Sequence, residues 1–112
     1  MKPQLRQAFH VEMATAIDLF AKGELIRAYR HLEVAHVLGQ RYVAPHVVTH
    51  YWMLKIGIKH RSLPEIRGQV IRMVLGALGS TVGFVPTGNT GGTNISMFKR
   101  LPVAPHIRDL VE

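Results

Sequence analysis

A chain of 112 residues with 47% apolar and 19% charged side chains has the size and composition of one globular domain with its own core. It contains no cysteine, which excludes disulfides, thiolate zinc sites, iron–sulfur clusters and cysteine nucleophiles and leaves histidine and carboxylate as metal ligands. The formal charge of +7 favours anionic partners, but the 14 Lys and Arg are scattered, without the single basic face or stacking aromatics of a nucleic-acid reader.

No apolar run follows the early charges of MKPQLRQAFHVEM, so no signal peptide and a cytoplasmic location are expected. The most membrane-like stretch, Met73 to Val85, falls short of the ~20 residues that span hydrocarbon, so no membrane segment is expected either. The first helix is expected from Lys2 or Pro3 to Lys22, with Leu5, Phe9, Met13, Ala16, Ile17 and Phe20 on one side and Gly23 as its stop. A second, from Glu24 to Gly39, places Leu25, Ala28, Tyr29, Leu32, Ala35 and His36 on its inward stripe. Pro45 marks the first turn of a third helix that runs to about Lys59. Its central stripe reads Val43, Val47, Tyr51, Leu54 and Ile58, with His46, His50, Met53 and Gly57 beside it, and Trp52, Met53 and Ile56 as an outer patch suited to a homodimer.

Ser62 is the expected N-cap of a fourth helix, with Pro64 and Glu65 in its first turn and Ile66, Val70, Val74, Ala77 and Leu78 facing inward as far as Gly79-Ser80. Gly68, Arg72 and Gly76 fall at intervals of four on another side, and two glycines on one line imply a closely approaching neighbour. Beyond Ser80 the chain turns rich in Gly, Pro, Thr and Asn, while Val82, Phe84, Val85, Ile95, Met97, Phe98 and Leu101 anchor it back over the helices. A short closing helix spans Pro105 to Val111. The expected fold is all-α: one domain, residues 1–112, with a body of four helices in two stacked antiparallel hairpins over residues 1–80 and an extended tail over 81–112.

The stretch AIDLFAKGELIRAYRHLEVAHVLGQ resembles a tetratricopeptide hairpin, with a glycine at the turn and Ala28, Leu32 and Ala35 at the matching intervals. The whole chain also resembles a family of short bacterial proteins known only as a domain of unknown function. HLEVAHVLGQ (residues 31–40), His46, His50, Arg67-Gly68-Gln69, Pro86, the loop from Gly88 to Gly92, Pro102 and Pro105 carry that likeness. It implies one intact domain and transfers no catalytic residue.

Glu33, His36, His46 and His50 form the strongest chemical candidate. Glu33-x-x-His36 and His46-x-x-x-His50 each put two ligand-type side chains on one helix face, and a short antiparallel connection sets the two pairs level with each other. Three imidazoles and a carboxylate suit zinc, nickel, iron or copper. A weaker candidate is an anion site in which backbone amides of Gly88, Asn89, Thr90, Gly91 and Gly92 act with Arg67 or Arg72. No lysine follows the last glycine and no strand precedes the first, so the loop lacks the marks of a phosphate loop. No nucleophile elbow or paired carboxylate indicates catalysis. The default reading is a non-enzymatic helical interaction or accessory module, binding another protein or a second copy of itself, and the alternative is a transition-metal-binding protein using the histidine cluster.

Overall fold

The computed structural model describes residues 1–83 and 86–112; Phe84 and Val85, two of the expected tail anchors, lie outside the described residues. Five helices account for the regular structure: α1 (Pro3–Ala21), α2 (Leu25–Gly39), α3 (Val43–Lys59), α4 (Leu63–Val82) and α5 (Pro105–Val111). No strand occurs among the described residues. The chain is all-helical, with α1 packed on α2 and α3 on α4 as two hairpins, α2 joining them and the short α5 resting on α1 and α2.

Local chemistry sets the boundaries. Pro3 sits in the first turn of α1, where its missing N–H costs nothing. Gly23, at φ +78°, closes α1 as a left-handed cap, its N–H donating to Phe20 O and that of Glu24 to Leu19 O. The Ser62 hydroxyl accepts from Glu65 N at 3.3 Å and starts α4, which runs to Val82, past the expected stop at Gly79-Ser80, and ends at Gly83 with φ +82°.

Leu5, Phe9, Met13, Ala16 and Leu19 of α1, Ala28, Leu32, Ala35 and Leu38 of α2, and Met53 and Ile56 of α3 make up the core; α4 contributes no apolar side chain to it. Two expected stripes are therefore rotated. The buried face of α3 is His46, Thr49, His50, Met53, Ile56 and Gly57, while Tyr51 and Ile58 are 46% and 55% exposed. On α4 the inward side holds Gln69, which is fully buried and lies next to the expected Gly68, Arg72, Gly76 line, whereas Val70, Val74 and Leu78 face outward. The close approach implied by the two glycines is present, because a Cβ on Gly76 would sit 2.8 Å from the His46 ring and one on Gly68 2.5 Å from the Thr93 methyl. The Trp52, Met53, Ile56 patch is corrected as well. Met53 and Ile56 are core residues, and Trp52 packs edge-on against Phe20 with Lys55 over its face at 4.3 Å.

The rotation makes an energetic ranking testable by chemical denaturation. Met53→Ala, which empties a fully buried site, is expected to cost about 2 to 5 kcal/mol, and Leu54→Ala clearly less because Leu54 keeps partial contact with water. Equal losses would mean that α3 is not rotated as described.

Candidate metal centre

His36 leaves α2 one turn before its end, and His46 and His50 leave α3 one turn apart, so the short Gln40–Tyr42 connection brings the three rings level. Gly39 permits the tight crossing, since a Cβ there would lie 2.8 Å from Pro45 Cβ and 2.9 Å from the Phe9 ring. All three imidazoles are buried, their centroids are 4.6 to 5.0 Å apart, and one ring nitrogen from each lies within 4.8 Å of the other two. Glu33 does not join them. It is half-buried one turn earlier; burial raises its pKa, and the nearby Thr90 side chain partly offsets this. The tail segment Asn89–Gly91 lies over His36, and Glu33 borders other cavities.

The partners of the rings fix their tautomers. His36 Nδ1 lies 2.7 Å from the Asn89 carbonyl oxygen, which only accepts, so Nδ1 carries the proton. His50 Nδ1 lies 2.6 Å from Gln69 Oε1. That amide is oriented by its nitrogen, which donates to Gly91 O at 3.0 Å and to Glu65 Oε1 at 3.2 Å, so His50 Nδ1 also donates. His46 Nδ1 lies 2.8 Å from Ser80 Oγ, whose single proton goes to Gln40 O at 2.8 Å, so this ring donates too. Every imidazole therefore holds its proton on Nδ1 and offers a bare lone pair at Nε2. His36 Nε2 and His50 Nε2 face each other at 3.0 Å with no hydrogen between them.

A proton shared between those two nitrogens would relieve their repulsion, but burial first, then the neighbouring rings and the Arg72 guanidinium, oppose a charge there. The His36 pKa is lowered well below the usual imidazole value by burial; burial also lowers His46 and His50 to about 4. The centre is thus a neutral set of three nitrogen donors at physiological pH. The anchors behind it, Gln69, Ser80 and the Asn89 carbonyl, were not identifiable as such, since uncharged polar side chains and a carbonyl carry no ligand signature.

The other candidate residues serve the same framework. Asn89 is 2% exposed; its Nδ2 donates to Ser96 O and Lys99 O, and its Oδ1 accepts from Gly91 N at 2.9 Å. Gly88, at φ +83°, passes so close to the Leu101 carbonyl that no Cβ fits. The Gly91 amide thus points into its own loop; Gly92 is buried beside Tyr29, the Thr90 side chain lies near Glu33, and Arg67 is exposed. Arg72 donates to Gly68 O at 3.1 Å and Ile95 O at 3.0 Å and borders the cavity beside the three rings. Behind Gln69, Glu65 accepts from Tyr29 at 2.7 Å and from Thr93, and burial raises the tyrosine pKa.

Fold and centre together define an all-helical domain with a buried histidine triad clamped by its C-terminal segment. A family model described as "Protein of unknown function (DUF3703)" matches residues 3–111, and the chain belongs to that family. No curated protein and no solved structure matches it. Among the described residues, no helix is long and apolar enough to cross a membrane.

The lowered pKa values give the metal-free protein a signed pH dependence. Folded-state values near 4 for His46 and His50 lie below the ordinary 6.5, so between those limits the unfolded chain binds more protons. Stability is fully present above about pH 6.5 and falls as pH drops towards 4, by up to about 1.4 kcal/mol per pH unit for each ring. Denaturant titrations of metal-free protein at pH 7, 5.5 and 4.5 check the slope, which His50→Gln should reduce.

Proposed function

We propose that the protein binds one transition-metal ion through Nε2 of His36, His46 and His50. The observation that carries this reading is the opposed lone pairs of His36 and His50 at 3.0 Å, with His46 beside them and every Nδ1 engaged elsewhere. Tetrahedral bonds of about 2.0 to 2.1 Å place ligand nitrogens about 3.3 to 3.4 Å apart, so an ion is held once the His36–His50 pair opens by a few tenths of an ångström and the His46 ring, whose nitrogen lies within 4.8 Å of theirs, swings inward. Imidazoles anchored through Nδ1 to carbonyl, amide and hydroxyl oxygens are the usual support of such ligands. A cysteine-free set of three neutral nitrogens suits zinc, with copper, nickel and iron as competitors.

Calorimetry and elemental analysis of untagged protein should find one zinc per chain. His50→Ala should abolish binding, whereas Gln69→Ala and Ser80→Ala, which remove only anchors, should weaken it by about 10- to 100-fold. Wild-type protein that takes up no zinc, copper, nickel or iron would contradict the reading.

A non-enzymatic interaction module draws support from a separate observation, the uncovered outer side of α3 and α4. Tyr51, Ile58, Leu63, Val70, Val74 and Leu78 are 46 to 72% exposed there, and the one charged residue that α4 exposes is Arg67. A second copy of the chain is the occupant that fits. The face is mainly apolar, with the cations Lys55 beside Tyr51, Lys59 and Arg67 at its border, and its apolar residues can meet their own copies about a two-fold axis. Two adjacent helices of 17 and 20 residues offer roughly 500 Å² in projection, the scale of a small dimer interface. Light scattering should report a dimer that Val74→Glu converts to monomer with zinc binding intact; a monomeric wild type would exclude this contact.

A further inference from the structure

We infer that the metal centre takes a small protonated oxyanion, of bicarbonate type, as its exchangeable ligand; this deepens the metal reading and rests on it. Three observations converge on the cavity beside the rings.

The first is space. A cavity of about 50 Å³ is bordered by the three histidines, Gln40, Arg72 and a mainly apolar wall that includes Leu75 and Met97. At ~10–15 Å³ per water it holds about three to five waters, or one anion of about four heavy atoms.

The second is charge. The three ligands are neutral, and no aspartate or glutamate borders the cavity. A divalent ion would keep its full charge beside the Arg72 guanidinium, offset only from behind Gln69 by Glu65. Uncompensated charge of this kind inside a protein is strongly unfavourable, and an anion on the metal removes it.

The third is the pair of buried side-chain atoms left without a partner among the described residues: Gln40 Oε1 and Arg72 Nε. Both residues border the cavity. Gln40 is 2% exposed, and its amide is oriented by the bond from Nε2 to Pro86 O at 3.0 Å, so Oε1 is a fixed acceptor that lacks a donor. Arg72 Nε–H is a donor that lacks an acceptor, its two terminal nitrogens being held by Gly68 O and Ile95 O. One oxyanion can satisfy both while bound to the metal if it offers an O–H to Gln40 Oε1 and a bare oxygen to Arg72 Nε besides the oxygen on the metal. Bicarbonate has all three; nitrate, of the same shape and charge, lacks the O–H.

Cobalt(II)-substituted protein, whose visible bands report the coordination sphere, tests this by titration with sodium bicarbonate and sodium nitrate at one pH and ionic strength. Bicarbonate should shift the bands saturably and bind about ten-fold or more tightly than nitrate, as one hydrogen bond in a charged site implies. Gln40→Met should reduce that preference by about ten-fold, leaving only the part that comes from the greater basicity of bicarbonate. Arg72→Met should weaken both anions and Arg72→Lys partly restore them, with one cobalt per chain throughout. Bands indifferent to both anions in cobalt-loaded wild type, or a bicarbonate preference undiminished by Gln40→Met, would overturn the inference and leave the metal reading standing. Absence of cobalt uptake by wild type would overturn both.

Discussion

The contact on which the rest of the structure depends is the approach of two unprotonated nitrogens, His36 Nε2 and His50 Nε2, to 3.0 Å in a buried site. Two acceptors do not meet at this distance by attraction. They are brought there because each ring is held from its far side, His36 by the Asn89 carbonyl and His50 by the Gln69 amide oxygen. One anchor comes from the irregular C-terminal segment and the other from α4, so neither hairpin alone contains the centre. The tail explains its own composition in the same terms. Asn89 ties three strands of irregular chain together through Ser96 O, Lys99 O and Gly91 N, and Gly88 and Gly91 lie where a side chain would collide with Leu101 or with the His36 ring.

The same constraint accounts for the character of α4. Its inward line is Gln69, Arg72, Gly76 and Ser80, which orient rings, bind carbonyls or make room, and apolar residues such as Val70, Val74 and Leu78 are left on the outside. Hydrophobic burial is concentrated between α1 and α2, reaching α3 only through Met53 and Ile56. The second hairpin is therefore attached largely through a polar network. A network of this kind is stable only when its members are satisfied, and the opposed lone pairs with the two orphaned atoms of Gln40 and Arg72 are where it falls short.

Against that background the limits of the sequence are physical ones. Helix ends other than that of α4, which runs past Gly79-Ser80 to Gly83, were legible because they are set by nearest neighbours: Pro3, Gly23, Ser62 and Pro105 act within one turn of where they stand. Which face turns inward is decided by other segments, and periodicity gives the strongest apolar stripe without saying what covers it. On α3 and α4 that stripe, through Tyr51, Ile58, Val70 and Val74, faces away from the chain's own core. Three histidines were legible as a cluster because a turn of helix and a short connection fix their heights. Glu33 was expected among the rings but has the Thr90 side chain as its neighbour, from a residue 57 positions later whose arrival no local pattern announces. Gln69 and Ser80 were invisible for the opposite reason: their chemistry becomes specific only when a ring nitrogen stands before them.

The arrangement also couples the proposed ion to the fold as a whole. Its ligands come from α2 and α3 and their anchors from α4 and the tail, so an unfolded chain has no equivalent site, and binding to the native state alone adds directly to stability. Without an ion, the cost of two facing lone pairs and three desolvated rings falls on the junction between the hairpins, where apolar packing is thinnest. That junction is where metal-free protein should open first, separating α4 and the tail from α1 and α2, and an ion that bonds all three rings would close it again.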